Sequence, residues 1–249
     1  MGTGAITQYI DVAQIVLYLF WAFFAGLIYY LVRENHREGY PLDSGRENGP
    51  QMQGWPPVPA SKTFTHENGH VTLSPDPNRR DGDYHAQAAH GWIGSPLEPV
   101  GNPLHAGVGP GGWAQRADVP DMTMHGEAKI VPLRVAPDHG VSKRDHDPRG
   151  LPVYGADGEV AGQVADLWVD RMEMMFRYLE IELPNGQRVL APTPFARIRR
   201  TEVELTAILS TQFANVPALR NPDQITLLEE EKVAAYYGAG TLYATPHRR

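Results

Sequence analysis

The chain predicts one N-terminal transmembrane α-helix followed by a mainly β cytoplasmic domain, barrel-like, with a short C-terminal helix. Three observations carry that reading. Residues 12–32 contain no charge at all. From Lys129 onward short stretches alternate apolar and polar residues between turn sequences, the signature of strands in a small barrel. Near the end, Thr226-Leu227-Leu228-Glu229 has the form of a capping box opening a helix.

The uncharged run comes first. Its 21 residues would reach about 32 Å as a helix, enough for a bilayer core of about 30 Å. Gln14 is its only amide and lies near one end. Trp21 lies mid-span, facing lipid or a partner helix, whereas Tyr29 and Tyr30 stand where an aromatic belt belongs. A cleaved signal peptide fits poorly: no Lys or Arg precedes the run, the run is too long, and no small-x-small site follows it. A buried core helix would need a soluble partner covering every face, which the polar remainder does not offer. Asp11 is the only charge before the run, while Arg33 and Arg37 follow it closely. The positive-inside rule then places residues 1–11 in the periplasm and the C-terminal bulk in the cytoplasm. The absence of cysteine is compatible with a reducing compartment.

Residues 33–128 read as a Pro/Gly-rich extended segment, with runs such as Gly54-Trp55-Pro56-Pro57-Val58-Pro59 and Gly107-Val108-Gly109-Pro110-Gly111-Gly112. Helical periodicity is absent there, so extended chain with short strands is expected. Residues 129–249 form the β domain. Strands are expected over 159–170, 177–183 and 188–190, the last two joined by a turn at Pro184-Asn185-Gly186-Gln187, and a further alternating strand over 198–205. The final helix is expected to open at Thr226 and to stop after Tyr237, at Gly238 and Gly240.

The formal net charge is −7, from 22 basic and 29 acidic side chains. That argues against nucleic acid as partner, since a phosphate-binding surface needs a basic excess. His66-Glu67-Asn68-Gly69-His70 matches the zinc-protease spelling H-E-x-x-H, but the motif works only on a helix. Asn-Gly favours a turn, and the flanks Lys62-Thr63-Phe64-Thr65 and Val71-Thr72-Leu73 read as two strands of a hairpin. The glycines at 107–112 lack the Lys-Ser/Thr pair of a phosphate loop and read as a packed loop. No G-x-S-x-G elbow is present. The chain does not read as a self-contained enzyme.

What remains is a titratable run in β structure: Asp166, Asp170, Arg171 and Glu173, followed by Arg177 and Glu180. On their own such residues are most often solvated ion pairs at a strand end. His85, His90, His125, His139 and His146 read as surface histidines.

The residues taken together resemble a family. Arg37-Glu38-Gly39-Tyr40-Pro41-Leu42, Lys62-Thr63-Phe64, Lys129-Ile130-Val131-Pro132, Asp147-Pro148-Arg149-Gly150-Leu151-Pro152-Val153, Asp166-Leu167-Trp168-Val169-Asp170, Arg177-Tyr178-Leu179-Glu180, Phe213-Ala214-Asn215-Val216-Pro217 and Leu242-Tyr243-Ala244-Thr245-Pro246 occur in order. They are similar to the H subunit of the purple-bacterial photosynthetic reaction centre, over essentially the whole chain. The resemblance implies a PRC-type barrel and a structural, proton-conducting subunit rather than an enzyme, lodged in the bacterial inner (intracytoplasmic) membrane.

It also implies that the chain binds no cofactor directly and caps the L and M subunits. Those subunits carry bacteriochlorophyll, bacteriopheophytin, quinones and a non-haem iron. Light-harvesting 1 polypeptides, a cytochrome subunit and membrane lipids are further partners within its scope. In such a subunit protons pass to the secondary quinone. Position by position, the resemblance places Glu173 nearest the quinone-side acidic cluster. Asp170 serves as an outer relay, Arg177 tempers the potential, and His125 is a surface proton-uptake histidine. Thr123 stands where some members have a carboxylate, and Glu127 stands in for a second histidine and joins the uptake group. Two other readings have discriminators. A bitopic adaptor docking a soluble protein through its barrel would expose a contiguous apolar patch. A membrane-tethered metalloenzyme would use His66, Glu67 and His70.

Overall fold

A computed structural model describes Gly4, Ile6 and residues 11–41, 54–67, 69–78, 84–92 and 95–245. The expectations for 42–53, for Asn68 and for Pro246 therefore lie outside the described residues. The chain forms two compact units, one of residues 1–80 with 92–94 and one of 81–91 with 95–249. The stretch 33–128, read from sequence as one segment, is shared between them.

In the first unit, helix α1 spans Val12–Arg37. Asp11 caps it, its carboxylate accepting from the Gln14 N–H at 2.7 Å. The apolar residues along the run are exposed, as a membrane-crossing helix in isolation requires. Gln14 does not reach outward: its amide donates to the Tyr18 hydroxyl at 3.0 Å. The helix also runs past residue 32, where the charges begin, by one more turn and a half. It ends in a Schellman turn, with Gly39 N–H donating to His36 O and Tyr40 N–H to Asn35 O. Gly39 takes a φ of +87° there, which suits glycine. The charged extension is used locally. Arg37 is buried, donates to Glu34 at 2.8 Å and to the Ala60 and Ser74 carbonyls, while Lys62 bonds Glu34 at 2.8 Å. Strands β1 (Lys62–Thr65) and β2 (Val71–Ser74) form an antiparallel hairpin.

The second unit opens with a small hairpin, β3 (Ala86–Ala88) and β4 (Leu97–Pro99), followed by two single 3₁₀ turns at Pro103–His105 and Gly109–Gly111. Its main sheet holds β5 (Ile130–Pro132), β6 (Pro152–Tyr154), β7 (Val160–Asp170), β8 (Met175–Glu182), β9 (Arg188–Pro192), β10 (Ala196–Ile198) and β11 (Val203–Leu205). The order is β10-β11-β6-β7-β8-β9, with β5 alongside the far end of β7. This is a curled sheet, and it encloses Val153, Val164, Leu167, Leu179, Ile181, Val203 and Leu205, all nearly inaccessible to solvent. Burial of such side chains contributes roughly 1.5–3 kcal/mol each, which is what holds the curl.

The strands expected at 159–170, 177–183 and 188–190 are present within two residues at each end. The one expected over 198–205 is not a single strand. It is the antiparallel pair β10–β11, closed by Arg199 N–H donating to Glu202 O at 2.8 Å. Ile198 and Val203 stand five positions apart, so the alternation breaks between them, and the polar residues 199–202 form the turn.

Helix α2 spans Leu227–Tyr243. Its capping box forms as expected: Thr226 Oγ1 accepts from Glu229 N–H at 3.1 Å, and Glu229 returns the bond to Thr226 N–H at 2.9 Å. The expected stop is wrong by six residues, because Gly238 and Gly240 lie inside the helix. A Cβ on Gly238 would collide with the Pro110 carbonyl, and one on Gly240 with Ile208 and the Ala207 carbonyl. These glycines let the helix lie flat against the 109–111 turn and the sheet. The loss of helix propensity, about 1 kcal/mol each, is outweighed by that approach.

Candidate functional site

The site is built at the connection between β7 and β8. Asp170, the last residue of β7, has 0 % exposure. Its Oδ1 accepts the N–H groups of Met172 and Glu173, both at 3.0 Å, and its main-chain carbonyl accepts Met174 N–H at 2.8 Å. One carboxylate thus closes the turn 171–174. Met174 completes it at φ +55°, in the left-handed region that costs a side-chain-bearing residue about 1 kcal/mol. The register then skips at Arg177: Trp168 pairs with Tyr178 and Val169 with Phe176, leaving Arg177 as the extra residue of a β-bulge. A bulge re-aims its side chain. Here the guanidinium reaches Asp170 at 3.4 Å and Glu173 at 3.1 Å.

A further cation completes the cluster. Lys129, just before β5, places its ammonium 3.6 Å from Asp170, 3.8 Å from Glu173 and 3.4 Å from Asp121. Burial alone would raise the Asp170 carboxyl. The Glu173 and Met172 N–H donors, with Lys129 and Arg177, outweigh it and hold the group below the ordinary carboxylate range. Burial works equally against the Lys129 charge, and Asp170 and Asp121 more than compensate, so its pKa is raised. Asp170 is therefore a fixed anion. Glu173 differs: its side chain is 49 % exposed and is held only by cations.

His125 and Glu127 sit in the adjacent turn. Thr123, buried, accepts the N–H groups of both on its hydroxyl at 3.3 Å, so it serves as a turn cap. Glu127 reaches the cluster through Arg171 at 3.0 Å, and Arg171 N–H donates to Lys129 O. His125 is exposed, with no ion pair among the described residues. The structure thus brings Asp170, Glu173 and Arg177 into direct contact, ties Glu127 in at one remove, and leaves His125 outside the hydrogen-bonded group.

The H-E-x-x-H spelling lies on the β1–β2 hairpin, as its Asn-Gly centre implies. His66 N–H donates to His70 O across the turn, and its ring meets the Thr72 hydroxyl at 3.1 Å. Among the described residues no group of three or more His, Cys, Asp or Glu side chains is placed to hold a metal ion. The glycines at 107–112 form a packed 3₁₀ turn under α2, with Gly111 buried.

Residues 4–135, just over half of the chain, match the N-terminal region of the photosynthetic reaction centre H-chain, and residues 141–211 match the PRC-barrel domain. The chain belongs to the reaction centre H-chain family. The resemblance read from its ordered motifs is thereby borne out, as is the fold class: an apolar N-terminal helix fit to span a membrane, a curled PRC-barrel sheet and a C-terminal helix. As an H chain it is a membrane-associated subunit of a photosynthetic reaction centre.

Sequence reasoning gave no role to several residues of this H-chain site. Lys129 was visible only as the start of a strand, yet it touches three carboxylates. Tyr178, beside Arg177 on β8, donates from its hydroxyl to Glu230 Oε2 at 3.0 Å. Burial pushes the Glu230 carboxyl up, against the lowering pull of that bond and of Arg116 and Arg177, and burial with the nearby Glu230 charge raises the Tyr178 phenol as well. In the sequence, Glu229-Glu230-Glu231 reads only as an acidic first turn suited to a helix N-terminus.

Proposed function

We propose that this H chain caps the L and M subunits on the cytoplasmic side of the inner (intracytoplasmic) membrane, with its N-terminus periplasmic, and conducts protons to the secondary quinone. The pigments, quinones and iron belong to L and M in this reading; the chain itself supplies no catalytic group. A quinone becomes quinol by taking up two electrons and two protons, so a site closed to water needs a protonatable path. Glu173 carries the reading: a half-exposed carboxylate held against Lys129 and Arg177 over the buried anion Asp170.

The residues divide the work. Glu173 takes and passes the proton, and docking against L and M would remove water from its open side and strengthen every charge interaction there. Asp170, held ionised, relays without storing, because a proton on it is released at once to a group of higher affinity. Arg177 and Lys129 keep the cluster's potential from becoming so negative that a proton is trapped. Glu127, Arg171 and the exposed His125 form the outer side where protons are taken from water. Proton-collecting surfaces of this kind work through accumulated charge as much as through any single contact.

The solubilised complex carrying this chain should show reversible near-infrared bleaching in a light-minus-dark spectrum. In that complex Glu173→Gln should slow proton uptake and electron transfer on the second flash several-fold while leaving the first charge separation unchanged. Second-flash kinetics identical to the parent would remove Glu173 from the route.

A further inference from the structure

The segment 54–60 reads Gly54-Trp55-Pro56-Pro57-Val58-Pro59-Ala60, without a charge, and three of its seven residues lack a backbone N–H. Its two ends are fixed against α1 at different heights. At Ala60, the carbonyl accepts from the Arg37 guanidinium at the end of the helix. At Trp55, the indole lies against the Tyr29 ring, centroids 5.3 Å apart and planes tilted by 43°. Tyr29 and Arg37 are eight residues apart, about 12 Å along the helix axis. Five steps of extended chain reach about 17 Å, so 54–60 can cover that height without strain. It runs back along the helix, against the direction in which the chain left it.

That return has a consequence for depth. Tyr29 belongs to the uncharged run, and the first charge, Arg33, stands about 6 Å further along. Trp55 thereby stands level with the last turn of the uncharged run, short of the first arginine. The indole is nonetheless 80 % exposed in the chain itself, while Pro56 and Pro59 are buried. The prolines hold the segment and the tryptophan is turned outward.

We infer that residues 54–60 form a second membrane-contacting element, with Trp55 seated in the headgroup–acyl boundary of the phospholipid bilayer beside Tyr29. The composition fits that medium. An indole has an apolar body and one N–H that can stay in the polar layer. A stretch poor in amide N–H groups leaves few donors to be stranded away from water. Absence of charge removes the largest penalty of all. Through the Arg37 clamp, which also holds Ser74 O, the element ties the depth of α1 to the position of the β1–β2 hairpin. The inference stands apart from the proton route and would survive its failure.

The test uses the intact complex in its native membrane. Trp55→p-benzoylphenylalanine keeps a large aromatic group at the position and captures whatever C–H bonds surround it under near-ultraviolet light. Mass spectrometry should find the peptide bearing residue 55 carrying a phospholipid. A cross-link to another polypeptide, or an uncaptured peptide, would overturn the assignment. A second readout exploits the absence of cysteine from this chain. Trp55→Cys, labelled with a nitroxide and compared with the unsubstituted complex, should relax faster with dissolved oxygen than with a water-soluble nickel chelate. The reverse order would place the position in water and overturn the proposal.

Discussion

The β7–β8 ladder carries two clusters of carboxylates and arginines, and they differ in how completely their charges are paired. In mid-ladder, Ala165 bulges out of β7 so that Asp166 and Glu180 become direct partners. Glu180, 3 % exposed, takes a bond from the Trp168 indole at 2.8 Å, from Arg134 at 2.7 Å and from Arg188 at 3.1 Å. Arg134 also binds Asp166 at 3.3 Å and Asp223 at 3.0 Å. Every oxygen of Glu180 is committed. At the end of the ladder, the second bulge brings Arg177 to Asp170 and Glu173, and there the outer carboxylate keeps an open side. Buried charge that is fully paired fixes a fold. Charge that is half paired and half open is tied less tightly to the fold.

The largest effect should come from breaking the closed cluster. Glu180→Ala leaves Arg134 and the Trp168 N–H facing a void, and loss of one partner from a buried ion pair costs roughly 3–5 kcal/mol. Thermal release of the chain from the solubilised complex should fall by many degrees, with first-flash charge separation intact in what remains assembled. A variant as heat-stable as the parent would show that the closed cluster is not what holds the sheet.

Asp170→Asn comes next. The amide can still accept the two N–H bonds that close the turn, but the attraction to Lys129 and Arg177 is lost, a cost of about 2 kcal/mol for charge-assisted bonds to a buried group. The pH dependence has a definite sign. Because the folded Asp170 is held below its unfolded value of about 3.9, its contribution is complete above that pH and disappears as pH falls through the lower folded value. The parent should therefore lose protection of the 171–174 amides on acidification below about pH 4. The asparagine variant should be less protected at neutral pH and should lack this acid-dependent step, as hydrogen exchange can read residue by residue.

How far this contrast could be seen in advance depended on the kind of signal. The uncharged run, the turn at 184–187 and the capping box at Thr226 are local patterns, and local physics alone forms them. Residues 198–205 were misread because Ile198 and Val203 stand five positions apart, an odd step that breaks the alternation, and the polar residues at 199–202 between them are the turn. Gly238 and Gly240 read as stop signals because a helix sequence does not reveal that Pro110 and Ala207 press on its face. Asp170, Glu173 and Arg177 were found through family likeness, since three ionisable residues within eight positions are unremarkable as sequence. Lys129 and Glu230 went without a role because Lys129 meets Asp170 and Glu173, and Glu230 meets Tyr178, across more than 40 residues of chain. The bulges that aim Arg177 and Asp166 have no sequence mark at all.

Tyr178→Phe probes the joint between the end cluster and α2. It removes the hydroxyl that donates to Glu230 and leaves that carboxylate with one partner fewer in a buried setting, at about 1 kcal/mol. The Glu230 carboxyl, already raised by burial, should rise further, because the lost bond favoured its charged form. Titration of its carboxyl stretch by infrared difference spectroscopy, assigned with Glu230→Gln, should show the midpoint moving to higher pH. A midpoint that stays or falls would mean that Arg116 and Arg177 govern Glu230 and the tyrosine does not.

The smallest stability effect should be at Glu173, and that is the sharpest use of the comparison. Its partners are Arg177 and Lys129 with one side open, and exposed pairs of this kind contribute about 0–1 kcal/mol. Glu173→Gln should therefore leave thermal release of the chain within about 0.5 kcal/mol of the parent. Yet the same substitution is expected to be the one that slows second-flash proton uptake, while substitutions in the Glu180 cluster, measured on assembled complex, are expected to leave that step alone. Stability and proton conduction would then rank the two clusters in opposite order. If Glu173→Gln instead loosened the subunit as much as Glu180→Ala, the open carboxylate would be a structural tie. The case for it as the proton carrier would then have to rest on flash kinetics from a variant that restores the fold.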